Sequence, residues 1–204
     1  YINSLDTGNT EILDTIEKEA LDTYVPIIRK EMQGFLKLLL AMKRPARILE
    51  VGTAVGFSAI LMAEYDPVEC EITTIENYEK RIPIARENFK RAGKEHQITL
   101  LEGDATEILK ELTKPYDFIF MDAAKGQYIH FMPDILRLLK PEGLLVSDNV
   151  LQDGDIIESH FIVTRRNRTI HKRMREYLYA LTHSEELVTS ILPIGDGVTV
   201  SVRK

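Results

Sequence analysis

Carboxylates and one amide follow apolar runs of the chain at positions suited to metal binding. Asp122 comes directly after YDFIFM, and Asp148 and Asn149 come directly after GLLVS. Two carboxylates and an amide oxygen, without Cys or His, form a hard ligand set suited to Mg²⁺, Mn²⁺ or Ca²⁺. Taken singly, Asp122 could cap the following helix, and Asp148-Asn149 could form an Asx-turn. Together the three residues predict a divalent metal site.

Lys125 lies three residues after Asp122, in the segment MDAAKGQY. A lysine in a loop is often only solvated, and this alternative stays open. Beside a divalent cation, however, an amine loses its proton more readily and becomes a candidate general base. The open positions of the metal would suit a substrate with two adjacent oxygens, one of which loses its proton to Lys125.

The segment ILEVGTAVGFSAI has the glycine spacing of a ligand-binding turn. Its residues Glu50, Gly52, Gly56 and Ser58 give the pattern E-x-G-x-x-x-G-x-S, which differs from the G-x-G-x-x-G of dinucleotide binders. The glycines permit a tight turn and close approach of the backbone to a ligand. A carboxylate before this turn favours a ligand that carries an amine or a positive charge.

Acids also end the next two apolar runs. Glu76 follows EITTI and could hold two ribose hydroxyls, and Asp104 follows ITLLEG and could accept a hydrogen bond from an adenine amino group. The alternative for each acid is a solvated loop residue or a helix cap, and Asp104, three residues before Glu107, has the spacing of a capping box.

Alternating apolar and amphipathic segments position these residues. Strands are predicted over 47–52, 71–76, 98–103, 116–122, 143–149, 190–194 and 197–203, with a turn at 140–143 before the fifth strand. Helices are predicted near 9–22, 29–42, 56–65, 78–93, 104–113, 127–139 and 164–181. This alternation predicts an α/β fold with a seven-stranded, mostly parallel sheet, a terminal antiparallel hairpin and helices on both faces. Ligands of such sheets bind beyond the carboxyl ends of the strands.

Composition indicates one ordinary globular domain. The chain has 204 residues, 44% of them hydrophobic, and a formal net charge of -6. We expect a single domain over 1–204, with N-terminal helices in 1–45 and the sheet in 46–204. A single cysteine, Cys70, and the lack of a signal pattern or a membrane-spanning apolar run predict a cytoplasmic protein without membrane contact.

The segment VTRRNRTIHKRMREY, residues 163–177, is basic in an acidic chain. As a helix over 164–181 it would place Ile170, Met174, Leu178 and Leu181 on one face. The opposite face would carry Arg165, Arg168, Lys172 and Arg175, with Arg166 and Arg173 at the border. A solvated helix face is the alternative, but repulsion between the cations favours a polyanionic partner.

These motifs resemble a known family. The glycine pattern, Glu76 and the GDA of 103–105 resemble class I S-adenosyl-L-methionine-dependent methyltransferases with a Rossmann-like fold. MDAAKGQY, the SDNVL of 147–151 and the PIGDG of 193–197 resemble the cation-dependent O-methyltransferases of the catechol and caffeoyl-CoA type. The resemblance runs from YVPIIRKEMQGFLKLLL (24–40) to the terminal strands.

The resemblance implies residue functions. It makes Asp122, Asp148 and Asn149 metal ligands and Lys125 the catalytic lysine. The cofactor-binding residues that it implies are Ile28, Glu50, Gly52, Ser58, Glu76, Asp104, Ala105 and Asp122.

The combination of VPI, MDAAKGQY, DNVL, the basic segment and PIGDG resembles in particular the bacterial tRNA 5-hydroxyuridine methyltransferases. By this resemblance the protein would be a homodimer that methylates the 5-hydroxyl of 5-hydroxyuridine at the wobble position of the tRNA anticodon loop. The tRNA would contact Arg165, Arg166, Arg168, Lys172 and Arg175.

Three alternatives stay open. One is a small-molecule O-methyltransferase that acts on catechols or on acyl-CoA thioesters, whose phosphates would also suit the arginines. Another is a non-catalytic RNA-binding protein, which the presence of Lys125 and of all three ligand candidates disfavours. The last is a nicotinamide-dependent oxidoreductase, which the glycine spacing of 50–58 disfavours.

Overall fold

The computed structural model describes residues 5, 7–159 and 163–204. In these ranges the helices are α1 (Glu11–Asp22), α2 (Lys30–Lys43), α3 (Phe57–Tyr65), α4 (Ile82–Arg91), α5 (Ala105–Glu111), α6 (Tyr128–Leu138) and α7 (Arg168–Thr182). The strands are β1 (Arg47–Val51), β2 (Glu71–Glu76), β3 (Ile98–Glu102), β4 (Tyr116–Met121), β5 (Leu139–Ser147), β6 (Leu187–Leu192) and β7 (Val198–Arg203). Short 3₁₀ helices lie at Lys125–Gln127 and Gln152–Ile157.

The chain forms two compact units, residues 1–105 and 106–204. In the first unit, β2 pairs in parallel with β1 on one side and with β3 on the other. The side chains of Ile48, Leu49, Ile72 and Ile75 are buried, as expected for apolar strands covered on both faces. Helix α3 is buried over most of its length, and the amphipathic helices α1 and α2 pack against it.

In the second unit, β4 and β5 are parallel, while β5–β7 and β7–β6 are antiparallel. Positive-φ glycines at Gly195 and Gly197 close the turn between β6 and β7. The predicted fold class, a seven-stranded and mostly parallel sheet that ends in an antiparallel hairpin, is confirmed. None of the helices in the described ranges has the length and hydropathy of a membrane span.

Strand β5 begins four residues earlier than the sequence pattern predicts. Tyr116 pairs with Leu139 and Phe118 pairs with Leu144, so the predicted turn at 140–143 is a bulge inside the strand. Glu142 takes a left-handed φ of 59° in this bulge. The Lys-Pro-Glu-Gly signal was therefore located correctly, but it interrupts a strand and does not precede one.

Helix α7 begins at Arg168 and not at residue 164. Its buried face carries His171, Met174, Tyr177 and Leu181, whereas Ile170 is 37% exposed. Met174 and Leu181 therefore lie on the buried face as predicted, whereas Ile170 is exposed and Leu178 is only half-buried. Tyr177 is buried on this face instead, and its hydroxyl hydrogen-bonds with the Ser147 hydroxyl at 2.6 Å.

Two buried tyrosines hold the carboxyl ends of β4 and β5 together. The Tyr128 hydroxyl lies 3.1 Å from the carbonyl oxygen of Met121 and 3.2 Å from that of Asp148. The Tyr128 ring packs edge-on against Tyr177, with ring centroids 5.4 Å apart. The backbone around the predicted metal ligands is thus supported from within the core.

The turn before β7 is locked against the loop that follows β5. The amides of Val150 and Leu151 donate to the carbonyl oxygens of Gly197 and Asp196, at 3.0 and 2.9 Å. Gly197 has a φ of +81°, and a Cβ at this position would lie 2.1 Å from Leu151 Cγ. Only glycine fits both the conformation and the space.

Substituting Gly197→Ala should therefore destabilise the protein by about 2–3 kcal/mol, through left-handed strain and overpacking together. Urea unfolding measures the loss. Gly154→Ala is the matched control, because Gly154 has a φ of +93° with no atom within 4 Å of an added Cβ. An equal loss in both variants would contradict the clash with Leu151.

Candidate active site

Gly52 and Gly56 shape the turn between β1 and α3. Both have left-handed φ values, 106° and 85°. A Cβ on Gly56 would lie 2.5 Å from the Phe89 ring, and the Asn88 amide donates to the Val55 carbonyl oxygen at 2.9 Å. The turn that the glycine pattern predicts is therefore present, and α4 holds it from the side.

Glu50 is fully buried in the first unit. The hydroxyls of Ser58 and Thr74 each donate to one of its carboxylate oxygens. Thr74, whose position opposite Glu50 in β2 the sequence pattern did not reveal, also hydrogen-bonds with Thr53. Two of the predicted cofactor residues, Glu50 and Ser58, are thus bonded to each other and fix the start of α3 to β1.

Glu76 ends β2 and is oriented by the backbone. Its carboxylate accepts hydrogen bonds from the amides of Ala54, Asn77 and Tyr78, at 2.7, 3.0 and 2.9 Å. A carboxylate has about four acceptor positions, so one remains for a ligand hydroxyl. Because the Ala54 amide belongs to the glycine-containing turn, Glu76 also ties this turn to β2.

The other predicted cofactor residues of the first unit differ in exposure. Asp104 is exposed directly before α5, where Ala105 begins the helix and is half-buried. Ile28 is 4% exposed and precedes α2, whose Gln33 donates to its carbonyl oxygen. Glu50, Gly52, Ser58, Glu76 and Asp104 thus surround the carboxyl ends of the three parallel strands, whereas Ile28 is part of the core.

The predicted metal ligands come together in the second unit. The Asn149 side-chain nitrogen donates to Asp122 Oδ1 at 2.9 Å, and the Asn149 backbone amide donates to Asp148 Oδ1 at 2.7 Å. Asn149 has a left-handed φ of 60°, which is uncommon for a residue other than glycine and is found at functional sites. The Asp148 carboxylate thus bonds to the amide of the next residue, whereas an Asx-turn needs the amide two residues on, and the Val150 amide donates to the Gly197 carbonyl oxygen.

Burial makes both carboxylates difficult to ionise. Burial raises the pKa of Asp122 to about 6, against the lowering effects of the Asn149 hydrogen bond and the Lys125 charge. Burial and the negative charge of Asp122 raise the pKa of Asp148 to about 7. A cation bound between them would offset both penalties.

The residues fit a divalent cation by donor chemistry. The set comprises two carboxylates and one amide, all with oxygen donors, on the adjacent ends of β4 and β5. In the part of the chain that the structure describes, no group of three or more His, Cys, Asp or Glu side chains is arranged to hold a metal ion. The metal site therefore stays a prediction that depends on the amide of Asn149 as the third ligand.

Lys125 forms an ion pair that the sequence analysis missed. Its Nζ lies 3.0 Å from Asp196 Oδ2, and the Asp196 side chain is only 5% exposed. Asp196 is in the Gly195-Asp196-Gly197 turn, where an aspartate is usually only a turn former. A local pattern therefore gave no reason to place Asp196 beside a lysine 71 residues away.

Several cations of the predicted basic face also have partners within the chain. Arg175 donates to the carbonyl oxygens of Ile156 and Glu158, both at 2.9 Å, and Arg168 donates to that of Val163 at 3.2 Å. Lys172 lies 3.7 Å from Glu176. Arg168 and Arg175 therefore bind backbone carbonyls of the chain itself, and contact of this face with a partner stays a prediction.

Arg165 and Arg166 lie before α7 in an exposed turn. They thus lie close to the N-terminus of α7, but the predicted place of Arg166 at the border of the apolar face is wrong, because Arg166 is exposed and precedes the helix. On the inner side of α7, Arg173 donates to the Gly126 carbonyl oxygen at 3.2 Å, next to Lys125. The basic segment and Lys125 are therefore neighbours within the second unit.

Comparison with known proteins identifies the family. An O-methyltransferase family model matches residues 3–204. A Staphylococcus aureus structure, solved as a proposed caffeoyl-CoA O-methyltransferase, has a TM-score of 0.89 and 32% identity, and the match covers 96% of this chain and 93% of that chain. A Podospora anserina methyltransferase, solved with SAH bound, has a TM-score of 0.87 and 27% identity, with 99% and 92% of the two chains covered.

A catechol O-methyltransferase of Niastella koreensis is 37% identical over 130 residues, which cover 62% of this chain and 59% of the relative. The aligned segment thus spans less than two thirds of that relative's length. The family model and the structural matches, in contrast, extend over nearly the whole chain. The chain belongs to the O-methyltransferase family, as an S-adenosylmethionine-dependent O-methyltransferase of the type that includes the catechol and caffeoyl-CoA enzymes.

Proposed function

We propose that this protein is a divalent-metal-dependent enzyme that methylates one of two adjacent oxygens on its substrate. The observation that carries the proposal is the juxtaposition of Asp122, Asp148, Asn149 and Lys125 at the carboxyl ends of β4 and β5. Two hard carboxylates, an amide and an amine together can bind a metal and accept a proton.

The cofactor would be held by the first unit. S-adenosylmethionine, when bound, supplies a methyl group on a sulfonium. We assign one ribose hydroxyl to Glu76, because three backbone amides orient its carboxylate and leave about one acceptor position. Asp104, exposed before α5, would accept from the adenine amino group. Glu50 and Ser58 would hold the turn in its binding conformation.

The metal would be held by Asp122, Asp148 and Asn149. Mg²⁺, or Mn²⁺ or Ca²⁺ in its place, makes a coordinated hydroxyl more acidic and directs it when bound. The ion would favour the charged form of both carboxylates, and Asn149 would offer its amide oxygen as the third ligand. Lys125 takes the proton of the reacting hydroxyl at Nζ, so that the hydroxyl O–H bond breaks as the new N–H bond forms.

We propose 5-hydroxyuridine at the tRNA wobble position as the substrate. Its ring hydroxyl lies next to a carbonyl oxygen, which provides the two adjacent oxygens. The exposed Arg165 and Arg166, and the exposed Lys172 of α7, support a phosphate-binding surface. This surface is smaller than the five-residue set expected from the sequence, because Arg168 and Arg175 bond to the chain itself.

A small-molecule substrate is the second candidate function. The relatives named as catechol and proposed caffeoyl-CoA O-methyltransferases favour it. The phosphates of a CoA thioester would suit Arg165 and Arg166 as well as those of RNA do. The tRNA and the small-molecule substrate would use the same metal-binding residues. They differ in the number of phosphates that the basic surface must contact.

We further propose a cytoplasmic homodimer. The paired strands β6 and β7 expose Val188 and Val202, which lie opposite each other in the hairpin at 62% and 39% exposure. Burial of these side chains against a second copy would remove apolar surface from water.

Sedimentation equilibrium should then give a mass twice the 23.4 kDa of one chain. Val188→Lys should shift the equilibrium toward a single chain, because the lysine would bring a charge into the interface. Thr182→Lys is the control on an exposed position of α7. A single-chain mass for the wild-type protein at micromolar concentration would contradict the dimer.

Asp148→Ala should lower Mg²⁺-dependent methyl transfer about 100-fold or more, because one of two metal carboxylates is lost. Methyl incorporation from labelled S-adenosylmethionine measures the rate, and Mn²⁺ titration by electron paramagnetic resonance measures metal binding. Titration with S-adenosylhomocysteine should show unchanged cofactor affinity. The control is Asp117→Ala, which removes a carboxylate paired with Lys140 at the opposite end of β4. Full methyl transfer by the Asp148 variant would refute Asp148 as a metal ligand and, with it, the proposed metal site.

Hypomodified tRNA carrying 5-hydroxyuridine should be methylated faster than catechol or caffeoyl-CoA at equal concentration. Arg165→Glu with Arg166→Glu should raise the Kd for tRNA about 10-fold or more and should flatten its salt dependence. Lys110→Glu with Lys114→Glu makes the same change in net charge on and after α5. Inert tRNA together with good turnover of a catechol would refute the tRNA substrate.

A further inference from the structure

We propose that Asp196 is a positioning residue for Lys125, which it orients toward the substrate and stabilises once the lysine has accepted a proton. This inference deepens the proposed function, since Lys125 acts as a base only if that function is correct. The Lys125–Asp196 pair would then be a base and its orienting acid, an arrangement that recurs in enzymes that activate an oxygen nucleophile.

The pair of Lys125 and Asp196 is a partly buried ion pair and not a surface ion pair. Lys125 Nζ lies 3.0 Å from Asp196 Oδ2, within hydrogen-bond distance. The side chains are 32% and 5% exposed, so solvent screens the charges only in part. A lysine has four rotatable bonds, and a buried partner selects one direction among its many rotamers.

Asp196 is itself held in place by the loop that carries the proposed metal ligands. The Leu151 amide donates to the Asp196 carbonyl oxygen at 2.9 Å, and the Val150 amide donates to that of Gly197 at 3.0 Å. Both donors follow Asp148 and Asn149 directly in the chain. Asp196 therefore links Lys125 Nζ to the loop of the proposed metal ligands, so that the position of the amine depends on the position of this loop.

Lys125 is itself supported from its other side. It begins the 3₁₀ helix Lys125–Gln127, and Arg173 of α7 donates to the carbonyl oxygen of Gly126 at 3.2 Å. The backbone under the lysine is thus fixed by α7, and its side-chain end is fixed by Asp196. A base held at both ends needs little reorganisation during the reaction.

The charges around Lys125 assign this function to Asp196 in particular. Three carboxylates interact electrostatically with Lys125, namely Asp122, Asp148 and Asp196. Asp122 and Asp148 are the proposed metal ligands, and a bound cation would neutralise their negative charge. Asp196 is the carboxylate that remains for the ammonium formed when Nζ takes the substrate proton. Methyl transfer then forms the O–C bond and breaks the S–C bond, and Lys125 later releases its proton to water.

The alternative is that Asp196 only closes the turn before β7. The first arm of the test is Asp196→Asn, which keeps the shape but removes the charge. We expect kcat for 5-hydroxyuridine tRNA, or for catechol if that is the better substrate, to fall about 100-fold with KM little changed. Asp117→Asn, which removes the charge from the 2.7 Å pair with Lys140, should leave kcat unaltered.

The second arm is a double-mutant cycle with Lys125→Met. If Asp196 acts through Lys125, then Asp196→Asn should change the residual rate of the Lys125→Met enzyme by less than about 3-fold. An equal fall in both backgrounds would overturn the positioning function. Full activity of Lys125→Met alone would refute the lysine as the base, and with it both the proposed mechanism and this inference. These two failures are therefore distinguishable.

The split between kcat and KM is a readout that a purely structural role would not give, because a positioning residue acts on the reaction and not on substrate binding. Thermal unfolding checks that the Asp196→Asn variant is folded. A folded variant with unchanged kcat would show that Asp196 belongs to the turn alone.

Discussion

A carboxylate buried at a strand end needs a donor or a positive charge beside it, and much of the local structure of both units depends on this requirement. Glu50 accepts hydrogen bonds from two hydroxyls, and Glu76 accepts them from three backbone amides. Asp196 forms an ion pair with the Lys125 ammonium. An unmatched buried charge costs several kcal/mol, so each partnership also orders the loop that supplies it. Asp148 is the least compensated member, with a raised pKa, and this is the reason to place a cation there.

The basic segment shows how the same requirement acts on backbone groups. The carbonyl oxygens of Ile156, Glu158 and Val163 need donors, and Arg168 and Arg175 supply them. These arginines would organise the loop beside the proposed metal site even without a polyanionic partner. The choice between RNA and a smaller substrate therefore depends on fewer residues than the charge pattern suggested, chiefly Arg165 and Arg166.

Family membership and site geometry support each other at different levels. Similarity over nearly the whole chain establishes an O-methyltransferase. The residues of the second unit are consistent with oxygen as the methyl acceptor, because the proposed hard cation and the proposed amine base would both act on a hydroxyl. Neither source selects the substrate, which is determined by surface residues outside the buried core.

Periodicity and strand-end composition predicted the order of strands and helices, the terminal hairpin, and the proximity of Asp122 to Asn149. These features are local, since side-chain period and turn chemistry act within a few residues, and parallel strands bring their carboxyl ends to one edge. The bulge in β5, the hydrogen bond between Tyr177 and Ser147 and the pairing of Lys125 with Asp196 were decided by tertiary structure. Each of these three features depends on a contact between residues that are far apart in the sequence. Lys125 and Asp196, for example, are 71 residues apart. No local pattern encodes such a distance, because packing of the whole unit sets it.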